Sequence, residues 1–182
     1  MKKVLLLVLC SALWVNCKKA EPAEAGKPAE PTADAATPPQ AEFADAKYTE
    51  IGKKYIEALA SGDTDAMMSV YTDDAKYYWN SGDSLVGKKA IADFWVDRRK
   101  NVIETLSFKN DIWLPVKVNR PQSVEKTGVW LLSWYEVTAK YKGGKSMTQW
   151  MHILFHFDDN DKVDQVSQYV DRVPINEALP KK

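Results

Sequence analysis

The chain is poor in the residues from which a protein builds a reactive centre of its own. Two cysteines and two histidines in 182 residues leave little material for a protein-made metal site, so none is expected. Charge of one sign is missing too. Lys+Arg and Asp+Glu number 25 each, divided as 5 basic and 6 acidic residues before Lys47 and 20 and 19 from there on. Neither stretch has the field that draws in nucleic acid or an acidic partner. The sequence contains no phosphate loop, nucleophile elbow or Cys/His pair, and no cofactor is expected. Its longest apolar run, Val4 to Val15 broken only by Ser11, is too short to span a bilayer as a helix. What the chain does have is 45% hydrophobic residues, with seven Trp, eight Tyr and five Phe. That is enough apolar material for a core and excludes wholesale disorder.

The apolar run sits behind Lys2 and Lys3 and ends at Asn16-Cys17-Lys18-Lys19. A basic start followed by a short apolar segment is a secretory signal, read here as residues 1–16. A cysteine directly after that segment resembles a bacterial lipobox, in which the cysteine is lipidated and becomes the mature N-terminus. Trp14, Val15 and Asn16 stand where a strict lipobox has Leu, a small residue, then Gly, Ala or Ser. Cys10 lies inside the run and fits worse. An ordinary cleaved signal would need a small-x-small site near residue 16, and the sequence has none there. Once Cys10 is removed, Cys17 is the sole thiol and no internal disulfide can form. The expectation is an exported protein held to a bacterial cell membrane by a lipid on Cys17, on its periplasmic or surface side.

Residues 17–44 are dominated by Ala, Pro and Glu and include Pro22, Pro28, Pro31, Pro38 and Pro39. Without apolar periodicity they cannot pack, and they read as a disordered tether with a reach of about 30 to 60 Å. From residue 45 the pattern changes. Tyr48, Ile51, Tyr55 and Leu59 recur at helical spacing up to Ser61-Gly62. Asp63 can cap a second helix to Tyr71, and a third is expected from Lys88 to Asn101 with Ile91, Phe94, Trp95 and Val102 as its stripe. A short strand over 75–79 precedes a loop over 80–83. After Thr105 the period becomes two. Strands are expected over 106–118, 129–142, 145–158 and 162–171, with a hairpin at Gly143-Gly144. Helices followed by antiparallel strands give an α+β fold with a strongly curved sheet over three N-terminal helices. The domain is read as residues 45–175, with 176–182 as a tail.

Three stretches carry a family resemblance: Tyr55-Ile-Glu-Ala-Leu-Ala-Ser-Gly-Asp63-Thr-Asp65, Tyr71-Thr-Asp73-Asp74-Ala75, and Gly87-Lys-Lys-Ala-Ile91-Ala-Asp-Phe94-Trp95. Together they resemble the SnoaL-like, nuclear-transport-factor-2-like superfamily, which includes ketosteroid isomerase and polyketide cyclases. Phe155-His-Phe157-Asp-Asp-Asn-Asp-Lys162-Val163 resembles its final hairpin, so the match spans about Tyr48 to Asp171. The resemblance implies a cone-shaped pocket between curved sheet and helices. It puts Tyr55 at the isomerase's tyrosine, Trp79 at its general base and Ile153 at its protonated aspartate. An indole has no accessible lone pair to take a proton, so ketosteroid isomerisation is not expected.

On this scaffold Tyr55, Trp79, Phe94, Trp95, Met151 and Ile153 would line the pocket and suit a hydrophobic or planar ligand; equally, the aromatics could fill the cone and leave no cavity. His152 and His156 lie four apart on one strand. By the resemblance they share, with Trp150 and Leu154, the sheet face away from the pocket, where a second copy could pack. Two imidazoles make half a metal site. Among carboxylates, Glu136 and Asp171 are candidate acids or bases if they point inward, and the parity of Glu136 is open. Three functions follow: a non-catalytic, lipid-anchored binder of a small hydrophobic or aromatic molecule; a SnoaL-like enzyme using Tyr55 with Asp171 or Glu136; or a dimeric interaction module with its contact around Trp150, His152 and His156.

Overall fold

The computed structural model describes residues 38–123 and 125–181. The expected signal segment, Cys17 and most of the tether lie outside the described residues. Residues 38–182 form a compact unit by themselves. A short strand β1 (Ala41–Phe43) leads into helix α1 (Lys47–Ser61), which buries Tyr48, Tyr55, Ile56 and Leu59. The helix stops where expected: Gly62 adopts φ 83°, a left-handed conformation open to glycine, and returns its N–H to Ala58 O. Asp63 then caps α2 (Thr64–Met68) by accepting the Ala66 N–H at 2.9 Å.

α2 ends at Met68, short of the expected Tyr71, because Tyr71 already pairs with Val163 and opens β2 (Tyr71–Trp79). β3 (Ser84–Val86) follows the 80–83 loop as an antiparallel partner of β2. α3 (Lys88–Asp97) buries Ile91 and Trp95 and passes into one π-helical turn, Arg98–Val102. The long strands β4 (Ile103–Val118), β5 (Gly128–Tyr141), β6 (Ser146–Phe157) and β7 (Val163–Tyr169) follow. A last helix, α4 (Arg172–Ala178), occupies the residues after the expected last strand, at the end of the domain and the start of the expected tail.

The seven strands form one sheet in the order β1-β4-β5-β6-β7-β2-β3, antiparallel throughout except for the parallel β2–β7 pair. β1 falls inside the stretch expected as tether; it joins the edge of β4, with Ala41 opposite Val118. The sheet is bent by register shifts. In β4, Lys109 faces Glu136 while Ile112 faces Trp134, and Asn110 takes φ 55° between them. The extra residue reverses the parity of β4. Leu106 and Phe108 face the helices before the bulge, and Trp113 does so after it. The concave face of β5 carries Tyr135, Val137, Ala139 and Tyr141, all buried. α1 packs so closely on this face that a Cβ on Gly52 would lie 2.5 Å from Trp113 Cζ3.

Candidate ligand cavity

The concave sheet face and the helices do not fill the space between them. A cavity of about 440 Å³ remains, within the size range of small-molecule sites. Of the residues expected to line a pocket, Trp79, Phe94, Trp95, Met151 and Ile153 do line it. Three of them belong to a continuous aromatic wall. Phe94 lies 5.2 Å from both Trp79 and Trp95, and Trp79 lies 4.7 Å from Tyr77, ring centre to ring centre. These tilted and edge-on contacts match the ring quadrupoles and leave the wall apolar.

Tyr55 is not part of the lining. Its position on α1 turns it into the core, edge-on to Phe155 at 5.0 Å, with the Tyr71 hydroxyl donating to its own at 3.4 Å. Burial pushes its pKa up to about 12, and burial likewise holds Tyr71, Tyr77 and Tyr135 well above the ordinary phenol range. All four are therefore neutral at physiological pH and are hydrogen-bonding groups, not bases.

The carboxylates are elsewhere. Glu136 shares the parity of Trp134 and Thr138 and stands opposite Trp150 on the convex face, whereas its neighbours Tyr135 and Val137 line the cavity. Asp171 is exposed and caps α4, accepting the Val173 N–H at 2.9 Å. The expected trio of Tyr55, Asp171 and Glu136 is thus not assembled at the cavity, because helix capping and strand parity place its members apart. Among the described residues the one carboxylate in the lining is Asp83, which pairs with Arg172 at 2.9 Å. Hydrogen bonding to Ser81 and the Arg172 guanidinium hold its pKa below the usual carboxylate range.

His152 and His156 lie on the convex face. His152 stacks on Trp134 at 4.4 Å and 15°, with Nδ1 at 2.9 Å from Ser133 O. His156 is buried, with Nδ1 2.5 Å from Asp164 Oδ1 and Nε2 2.9 Å from Thr127 O. Both ring nitrogens are occupied, so this imidazole ties β7 and the residues leading into β5 to one end of the central strand β6. Among the described residues no cluster of three or more His, Cys, Asp or Glu is placed to hold a metal ion.

Several lining residues lie beyond those expected from sequence. Gln168 is buried in β7, and its Oε1 accepts from both Tyr77 OH at 2.7 Å and Trp79 Nε1 at 2.9 Å. Two donors on one oxygen fix the orientation of the amide. Its Nε2 is left with the Met151 thioether at 3.6 Å, a weak acceptor. Gln168 was readable in principle, since it shares the parity of the apolar residues Val166 and Val170. Among the other additions, Arg172 and Ile175 come with α4 and Leu179 with its C-terminal end. Their signal was the pairing of Asp171 as cap with Pro174 in the first turn.

This geometry has relatives. The SnoaL-like domain profile matches residues 53–166, more than half of the chain. No curated protein matches it. Among solved structures, a candidate polyketide cyclase from Xanthomonas campestris pv. campestris is similar at 18% identity and a TM-score of 0.55, covering 69% of this chain and 90% of that one. An epoxide hydrolase from M. tuberculosis has 14% identity and a TM-score of 0.53, covering 72% and 88%. A nuclear-transport-factor-2-like protein of unknown function from Burkholderia pseudomallei has 10% identity and a TM-score of 0.61, covering 75% and 100%. At these identities the likeness is one of fold. By the profile match and the cone it describes, the chain belongs to the SnoaL-like domain family, on the nuclear-transport-factor-2-like fold.

Proposed function

We propose that the domain is a binding protein for a small hydrophobic or aromatic molecule and is not a catalyst. The observation that carries this reading is the cavity itself. It has an aromatic wall, and its single lining carboxylate, Asp83, is committed to Arg172. Among the described residues no histidine or cysteine lines the cavity, and the lining hydroxyls of Ser84, Tyr135 and Tyr141 have no lining histidine or unpaired carboxylate to activate them. In this reading Cys17 carries the lipid, and the Ala/Pro/Glu-rich residues between it and β1 hold the domain off the membrane. Native mass spectrometry of residues 38–182 purified from cells tests it. The expected result is a stable low-molecular-mass adduct that leaves on denaturation. Turnover of an added apolar substrate would count against it, and its loss on replacing Tyr55 and either Asp171 or Glu136 would favour the enzymatic alternative, Tyr55 with Asp171 or Glu136. For the anchor, Cys17→Ala is expected to release the chain from the membrane fraction.

A second reading concerns the convex face. Ile112, Trp150 and Tyr169 are each about half exposed there, at 54%, 52% and 53%, around the stacked Trp134–His152 pair. A row of apolar side chains across four strands suits a second copy of the same chain. The mass of the intact assembly reports this in the same experiment.

A further inference from the structure

The charged residues of the cavity wall are three: Asp83, Arg98 and Arg172. Asp83 and Arg172 neutralise each other at 2.9 Å. Arg98 remains. It opens the π-helical turn that ends α3, an insertion of the kind that often marks functional sites. Its neighbour Arg99 has a structural task, donating from Nη2 to Ala60 O at 2.9 Å behind the helix. Arg98 has none of that kind. Its guanidinium lies 5.8 Å from the centre of the Phe94 ring, itself part of the aromatic wall. Among the described residues no carboxylate pairs with it and no acceptor takes a hydrogen bond from its side chain. A half-buried cation with five N–H donors therefore stands uncommitted over an apolar cavity.

Gln168 points the same way chemically. With Oε1 saturated by Tyr77 and Trp79, what it offers at the wall is the amide N–H pair, matched only by the thioether of Met151. Both groups are donors, and one carries a full charge; the Trp95 Nε1–H and the Tyr135 hydroxyl, buried in the same lining without a partner, can donate as well. The complementary molecule has acceptor oxygens and a negative charge at one end, with an apolar ring body for the aromatic wall.

Resting on the reading that the cavity binds a ligand, we propose that this ligand is an amphipathic anion. Its apolar ring system lies against Trp79 and Phe94, and its carboxylate or sulfonate head meets the Arg98 guanidinium. Two probes with one ring system separate the proposal from the reading beneath it. 1-Anilinonaphthalene-8-sulfonate is anionic, and N-phenyl-1-naphthylamine is its neutral counterpart. Each is titrated by fluorescence into residues 38–182. Arg98→Met is expected to weaken the sulfonate by about tenfold, as loss of a charge-assisted contact does, and to leave the neutral probe within about twofold. Arg98→Lys should retain most of the sulfonate affinity, and Arg120→Gln, on an exposed loop, should change neither. In the unmodified domain, sulfonate affinity should fall as salt is raised while that of the neutral probe holds; this arm needs no variant to fold. Equal loss of both probes in Arg98→Met, or no salt dependence, overturns the anion proposal and leaves the cavity reading standing. Failure of both probes to bind the unmodified domain overturns both.

Discussion

Gln168 shows how much one side chain organises here. Its carbonyl oxygen is the shared acceptor for Tyr77, wholly buried, and for Trp79 in the cavity wall. Gln168→Leu would leave two donors without a partner, and each such loss costs about 1–3 kcal/mol. The expected outcome is a lower urea midpoint with an unchanged m-value, together with altered fluorescence of Trp79. A second residue, Asp164, couples the sheet to pH. Burial raises its pKa, but hydrogen bonds from Lys126 at 2.8 Å and His156 at 2.5 Å outweigh this, and the net direction is down. A depressed folded-state pKa means the stabilisation is fully present above the unfolded carboxylate value of about 3.9 and is lost as pH falls through the lower folded value. Asp164→Asn should therefore flatten the acid limb of the stability profile while lowering stability at neutral pH. Thermal denaturation from pH 7 to pH 3 measures both. At this scale the sequence was informative about type and weak about place. Trp79, Phe94 and Trp95 stood out as aromatics on elements expected to face the pocket. Tyr55 was put at the pocket by the family resemblance alone; helical periodicity gives it a buried face without saying what lies across from it, and here that is Phe155 and Tyr71.

Among the elements, two glycines set how closely neighbours approach. A Cβ at Gly52 would come within 2.5 Å of Trp113 Cζ3 and 2.6 Å of Leu131 Cδ2, so α1 could not keep its seat on the sheet. Gly52→Ala is expected to destabilise the domain by about 1–3 kcal/mol through overpacking, despite its gain in helix propensity. Calorimetry against an exposed control substitution tests this. Gly144, in the β5–β6 turn, lies against the end of α4: Lys145 N–H donates to Ala178 O at 2.7 Å, and a Gly144 Cβ would meet that same oxygen at 2.2 Å. Gly144→Ala should displace α4, so amide hydrogen exchange over residues 172–179 should speed up while β5 stays protected. The helix stops and the Gly143-Gly144 hairpin were legible because glycine and aspartate chemistry is local. The β4 bulge was not. Nothing around Asn110 announces an extra residue, and its effect on parity is felt only through the pairing with β5. α4 was missed for a related reason: seven residues show too little periodicity, and what holds the helix is the distant hairpin turn.

For the whole molecule, the α+β order followed from the switch in periodicity near residue 105 and the cone from the family resemblance, whereas the emptiness of the cone followed from neither. Whether aromatics fill a space or surround it depends on the curvature that the bulges impose. On the convex face, Trp150→Glu should abolish a dimer if the sheet face is the contact, which sedimentation of the two proteins would show. The central claim, that the cone is an open site for an apolar ring, is tested most directly by two-dimensional NMR of the indole N–H groups during titration with N-phenyl-1-naphthylamine. The resonances of Trp79 and Trp95 should move and saturate together, and those of Trp130 and Trp150 should stay. Shifts confined to Trp134 and Trp150, or none at all, would contradict it.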